Sequence, residues 1–156
     1  AKQYQQNLLH KKLLIIFRER QDNSIRFIEV IFHERNYQHL TGLELTNTEG
    51  KILQHQSKNF YRKCIENKLG LNDVDKVMGG VNFCLGLSRE NDVFIPSSAL
   101  LEDIKKLTSS PSQVLAIFEK DIDSELYSTV KHVAKGLNLH HLILPPEINS
   151  KILLPK

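Results

Sequence analysis

The chain has 156 residues, 40% of them hydrophobic and 25% charged, the balance of a globular chain with a sizeable core and not of a disordered one. A formal net charge of +3 suits an anionic partner such as nucleic acid, but falls short of the clustered charge of a dedicated DNA-coating protein. The two cysteines, Cys64 and Cys84, make no disulfide framework and no Cys-x-x-Cys pair, which fits a reducing compartment.

No apolar run approaches membrane-spanning length, and no signal-peptide pattern is read at the start. The expectation is one cytoplasmic domain over 1–156, without membrane contact, in which residues 1–10 form a peripheral N-terminal segment. Lys11 to Arg18 and Ile25 to Phe32 are apolar, β-branched runs around Gln21-Asp22-Asn23-Ser24, which predicts a β-hairpin. Leu13, Ile15 and Phe17 share one face of the first run while Leu14 and Ile16 take the other, so this strand is expected to be covered on both sides.

The segment from Phe32 to Leu45 packs two histidines, an arginine, a tyrosine and a threonine between an apolar strand and Thr46 to Gly50, read as a turn. Such polar density marks a site or an ordinary surface turn. Beyond it, Tyr61, Ile65 and Leu69, with Phe60 and Cys64, fall on a helical stripe; Ser57 is placed to cap that helix and Gly70 to end it. Lys58 and Arg62 lie four apart on its opposite face, a solvated basic face or the edge of an anion site. Asn72 to Met78 reads as a short helical turn broken by Gly79-Gly80.

Val81, Phe83, Leu85 and Leu87 then alternate with polar or small residues, and Val93-Phe94-Ile95 runs back after Arg89 to Asp92, predicting a second hairpin. Pro96-Ser97-Ser98 is read as opening a helix over 98–107, with Leu100, Leu101, Ile104 and Leu107 as its stripe. The run 113–119 is a candidate central strand. Ser124 to Leu137 is ambiguous: Leu126, Val130, Val133 and Leu137 suit a helix, whereas Tyr127, Thr129, Lys131 and Lys135 share one face of a strand, and periodicity leans slightly to helix. Residues 139–144 are read as a short strand, and Ile148 to Pro155 as a final extended segment.

Seven histidines invite a metal, but none has His-x-His or His-x-x-x-His spacing, so neither a metal nor any other cofactor is expected. Both cysteines fall on apolar patterns that suit core better than a reactive thiol. Phosphate loops and a Gly-x-Ser-x-Gly elbow are absent from the sequence. What remains is a metal-free set of His39, Thr41, Lys58, Arg62, Lys120, Tyr127, Thr129 and Lys135. Cleaving RNA without metal needs a base for the 2′-hydroxyl, an acid for the leaving oxygen, and cations for the phosphate charge. Histidine and lysine or arginine can fill those roles, although the same residue types occur in many proteins.

The run His39-Leu40-Thr41-Gly42 after the second strand resembles the opening motif of phage-associated nucleases of the barnase/EndoU/colicin/RelE-like superfamily, in the group marked by His-Leu-Thr-Gly. The resemblance continues through Ser57-Lys58-Asn59-Phe60-Tyr61, Phe94-Ile95-Pro96, Leu101-Glu102-Asp103-Ile104, Ala116-Ile117-Phe118-Glu119-Lys120, Tyr127-Ser128-Thr129-Val130 and Ala134-Lys135-Gly136. It spans about residues 11 to 146. It implies an α+β fold, with helices packed on one antiparallel sheet. It also turns 125–135 into a strand presenting Tyr127, Thr129 and Lys135.

Two functions follow from it. One is a metal-independent ribonuclease of a phage or other mobile element, with RNA as substrate and a host protein or cognate inhibitor as a further partner. There His39 is general acid or base, Thr41 and Tyr127 orient the phosphate, and Lys58, Lys120 and Lys135 stabilise its charge, with Arg62 and Thr129 as further substrate contacts. The other is a non-catalytic module that binds a host protein or nucleic acid on the same scaffold, in which His39 only bonds a backbone carbonyl to hold its turn.

Overall fold

The structure is a computed structural model; it describes residues 7–33 and 74–156, together with the backbone of 45–46 and 52–53. The chain divides into two compact units, Ala1–Leu9 with Phe32–Ser109, and His10–Ile31 with Ser110–Lys156.

The unit built from His10–Ile31 and Ser110–Lys156 carries four antiparallel strands in the order β2 (Ile25–Ile31), β1 (Lys11–Arg18), β8 (Gln113–Asp121) and β9 (Thr129–Val133). Strands β1 (Lys11–Arg18) and β2 (Ile25–Ile31) form the hairpin that their β-branched runs predict. Its turn is held by Asp22, which accepts from the Ser24 backbone and hydroxyl, while Asn23 takes a left-handed φ of 61° that asparagine tolerates. On the other side of β1 lies β8 (Gln113–Asp121), and β9 (Thr129–Val133) completes the order.

One face of this sheet gathers Leu14, Ile16, Ala116 and Phe118, all fully buried. The C-terminal stretch covers that face. Leu139, Leu144, Ile148 and Ile152 join the same core, and Tyr127 and Ile152 form a parallel bridge in which the Tyr127 N–H donates to the Lys151 carbonyl. Each large apolar side chain buried there contributes about 1.5–3 kcal/mol by its removal from water. Leu13 and Ile15 on the opposite face are buried too, so β1 is covered on both sides as its two apolar faces imply.

In the other unit, β5 (Lys76–Gly79), β6 (Cys84–Glu90) and β7 (Val93–Leu100) form an antiparallel meander. A two-residue ladder pairs β3 (Leu45–Thr46) with β4 (Ile52–Leu53). Asp75 ties β5 to β6, because its N–H donates to the Leu87 carbonyl and its carboxylate accepts from the Arg89 N–H. The short helix α1 (Ile104–Leu107) is capped by Asp103 and packs Ile104 and Leu107 against Val77, Cys84 and Leu100. Cys84 is buried; burial pushes its thiol pKa up, and its Sγ donates to the Glu102 carbonyl at 3.3 Å.

The expected α+β architecture, an antiparallel sheet with helices packed on it, does not hold. Nine strands dominate the described residues, whose α-helices are α1 and α2 (Pro146–Asn149), of four residues each. Two segments change class, and a third keeps the strand that the resemblance implies.

Residues 98–107 are not one helix. Pro96 lies opposite Leu87 beside a register shift at Gly86/Leu87, which is where a strand accommodates proline, and Ser97 Oγ donates to the Gly86 carbonyl, so the chain continues as β7 to Leu100. The stretch 124–137, ambiguous by periodicity and read as a strand over 125–135 through the resemblance, pairs with β8 over Thr129 to Val133, so tertiary pairing overrides the helical stripe. Residues 139–144 are not a strand. Asn138 accepts from the His140 N–H and caps a 3-10 turn (Leu139–His141), and Leu139 and Leu144 pack onto the sheet instead of pairing with it.

Two smaller expectations change likewise. Lys76–Gly79 is strand rather than helical turn, and Pro146–Asn149 interrupts the final extended segment. The expected helix over 56–69 lies outside the described residues. Among the described residues no helix is long and apolar enough to cross a membrane.

Candidate functional site

The chemistry of the sheet unit converges on Glu29. This glutamate sits on β2 directly opposite Leu14, a charge among the apolar side chains of its face. Three donors reach its carboxylate. Lys12 Nζ, from β1, lies 2.9 Å from Oε2; the Tyr127 hydroxyl, just before β9, donates to Oε2 at 2.6 Å; and Lys151 Nζ, from the C-terminal stretch, donates to Oε1 at 3.1 Å.

Burial alone would raise the Glu29 pKa. The hydrogen bonds from Tyr127, Lys12 and Lys151 outweigh it and hold the carboxyl at about 2. Tyr127 is shifted the other way. Its burial, its bond to Glu29 and the charge of that carboxylate all push the phenol above its ordinary range. With 1% of its surface exposed, Tyr127 is a buried donor.

Lys120 stands directly across β1–β8 from Lys12. Its Nζ lies 4.9 Å from the centre of the Tyr127 ring and donates to the Glu125 carbonyl at 3.1 Å. Partial burial lowers its pKa first and the charge of Lys12 lowers it next; Glu29 opposes them, Lys151 lowers it further, and Glu125 opposes most weakly. Lys151 lies 5.4 Å from the centre of the Phe27 ring. The result is a half-buried group of three ammonium groups, two of them over aromatic rings, centred on one carboxylate.

Of the residues expected from sequence, Lys120 and Tyr127 come together here. Thr129 is exposed on β9 opposite Glu119, and Lys135 is exposed beyond the end of that strand. His39, Thr41, Lys58 and Arg62 lie outside the described residues. The sequence reading passes over Lys12, Glu29 and Lys151. A signal for Glu29 exists, since it is the one charged residue on the β2 face that also carries Ile25, Phe27 and Ile31. Lys151 had no such signal; it meets Glu29 from 122 residues away.

A second carboxylate on the sheet, Glu119, is buried with Lys131 Nζ at 3.5 Å, and its Oε2 makes no hydrogen bond among the described residues. No group of three or more His, Cys, Asp or Glu side chains among the described residues is placed to hold a metal ion.

Residues 1–79 match the family described as phage-Barnase-EndoU-ColicinE5/D-RelE like nuclease4. The chain belongs to this family. It is accordingly a phage-associated nuclease-like protein. The matched stretch includes β1, β2 and the positions of His39, Thr41, Lys58 and Arg62, whereas Lys120, Tyr127, Thr129, Lys135 and Lys151 lie beyond it. No curated protein and no solved structure matches the chain.

Proposed function

We propose that this chain is a metal-independent ribonuclease of a phage or other mobile element that cleaves RNA phosphodiesters in the cytoplasm. The observation that carries the reading is membership of a nuclease-like family over roughly half the chain, residues 1–79 of 156. The chemistry available is consistent with it. His39 is the residue whose ordinary pKa suits transfer of the 2′-hydroxyl proton or protonation of the leaving oxygen. Thr41, Lys58, Arg62, Thr129 and Lys135 supply hydroxyl and cationic contacts to phosphate, and Lys120 adds a cation from β8. Tyr127 takes a positioning role, since its hydroxyl is occupied by Glu29.

The test is cleavage of a mixed-sequence RNA by the purified full chain with a metal chelator present. The expected result is products with 2′,3′-cyclic phosphate ends, as attack by the 2′-oxygen requires. Cleavage that needs added divalent metal would defeat the mechanism.

One observation favours a second reading, a non-catalytic module that binds nucleic acid or a host protein. The Tyr127 hydroxyl is buried and bonded, so the most distinctive described side chain of the expected set is not free for proton transfer. Under that reading RNA is bound but left intact.

A further inference from the structure

We infer that Lys12, Lys120 and Lys151 form a phosphate-binding site on the sheet, with Lys120 as its principal contact and the phosphodiester backbone of a nucleic acid as its ligand. The identity of that natural ligand rests on the nuclease reading; the site itself rests on charge and geometry.

Lys12 and Lys120 are direct partners across an antiparallel ladder, where like charges destabilise and Cβ atoms stand roughly 5 Å apart. Lys12 and Lys151 both bond Glu29, so that carboxylate is already shared by two ammonium groups. Lys120 bonds a neutral carbonyl, and Glu125 acts on it more weakly than Lys12, Glu29 or Lys151 does. Among the described residues, three ammonium groups therefore face two carboxylates, Glu29 and Glu125, and one positive charge is left over in a half-buried setting.

That excess is costly without a counter-charge and is relieved by an anion with several acceptor oxygens. Phosphate has that form. The Tyr127 and Phe27 rings under Lys120 and Lys151 fix where two of the ammonium groups stand, which limits the ordering needed on binding. Glu29, held ionised by its three donors, keeps Lys12 and Lys151 in place and spaces the site. The half of the chain beyond the family match thereby contributes directly to ligand binding, through Lys120 and Lys151.

The experiment follows the lysine Nζ signals of the full chain by nuclear magnetic resonance, during titration with inorganic phosphate and with a 2′-O-methyl oligoribonucleotide that cannot be cleaved through its 2′-oxygen. Sodium chloride at matched ionic strength is the control. The expected result is saturable shifts of Lys12, Lys120 and Lys151 with phosphate, tighter saturation with the oligonucleotide, and no such shifts with chloride.

Lys120→Gln is expected to weaken oligonucleotide binding at least fivefold. It should also flatten the dependence of log K on log salt by about 0.7, one single-strand phosphate contact, without lowering the thermal midpoint. Shifts that chloride reproduces, or binding that Lys120→Gln leaves intact, would overturn the site. RNA cleavage measured on the same samples separates the two ideas. Saturable phosphate binding without cleavage supports the site and refutes the ribonuclease, whereas cleavage without saturable phosphate shifts refutes the site alone.

Discussion

The Tyr127 hydroxyl and Glu29 Oε2 stand 2.6 Å apart, across 98 residues of sequence. That bond joins the loop before β9 to the centre of β2, and the parallel bridge from Tyr127 to Ile152 brings the C-terminal stretch to the same place. Tyr127 is thus a junction of three segments as well as one of the three donors that keep Glu29 ionised.

Tyr127→Phe keeps the ring that packs in the core and under Lys120 but removes the hydroxyl. A hydrogen bond to a charged acceptor contributes roughly 1.5–3 kcal/mol, so urea unfolding of this variant should show a loss of that size. Lys12 and Lys151 still hold the carboxylate, so the variant should fold. A loss below half a kcal/mol would mean that Glu29 does not depend on the phenol.

Glu29 also sets a pH dependence. Its folded pKa of about 2 lies below the 4.5 of an unperturbed glutamate, so the unfolded chain takes up this proton first as pH falls. The stabilisation is fully present above about pH 4.5 and is lost as pH drops from there towards 2; it amounts to on the order of 3 kcal/mol. Unfolding free energy measured from pH 6 to pH 2 should therefore fall more steeply in the wild type than in Glu29→Gln. Parallel profiles would remove Glu29 as the source.

How far the sequence discloses this arrangement depends on the range of the interaction. The β1–β2 hairpin is legible because Asp22, Asn23 and Ser24 carry the turn chemistry between two β-branched runs. Strand β8 is legible as an apolar run bounded by Pro111 and the polar end of the strand. Where local pattern and tertiary pairing disagree, pairing wins. Ser97 and Ser98 look like a helix start, yet Ser97 serves a bulge opposite Gly86. Leu126, Val130, Val133 and Leu137 have helical spacing, but β8 offers Val130 and Val133 a ladder partner each. At the site, residue chemistry suggests Lys120 and Tyr127 without saying what they face. Glu29 and Lys151 become partners only through strand order and the C-terminal bridge, which no local spacing encodes.

The adjacent glycines 79 and 80 offer a contrast in which chemistry is held constant. A Cβ at Gly79 would lie 2.3 Å from the Phe83 carbonyl oxygen and 2.6 Å from the Cys84 Cα, both backbone atoms of the tight β5–β6 connection. A Cβ at Gly80 meets nothing within 4 Å. Gly79→Ala must therefore displace backbone and is expected to cost about 1–3 kcal/mol. Gly80→Ala should change stability by no more than about 0.5 kcal/mol in either direction. Thermal unfolding of the two variants side by side checks this, and equal midpoints would refute the close approach.

The activity prediction turns on His39, which lies within the family match and carries the one side chain of the expected set that titrates near neutral pH without perturbation. Loss of a general acid or base typically slows catalysis about 10²–10⁴-fold. His39→Ala should show a drop of that size in RNA cleavage under chelation, with its circular dichroism spectrum unchanged. Tyr127→Phe is the internal comparison: its phenol is committed to Glu29, so it should lose stability while keeping a cleavage rate within about tenfold of wild type at a temperature where both are folded. The two variants thus separate proton transfer from scaffold. A folded His39→Ala protein that cleaves within tenfold of wild type would leave the histidine only its turn-holding role and move proton transfer elsewhere. If Tyr127→Phe instead slows cleavage a hundredfold at unchanged stability, the phenol leaves Glu29 when RNA binds and acts on the substrate.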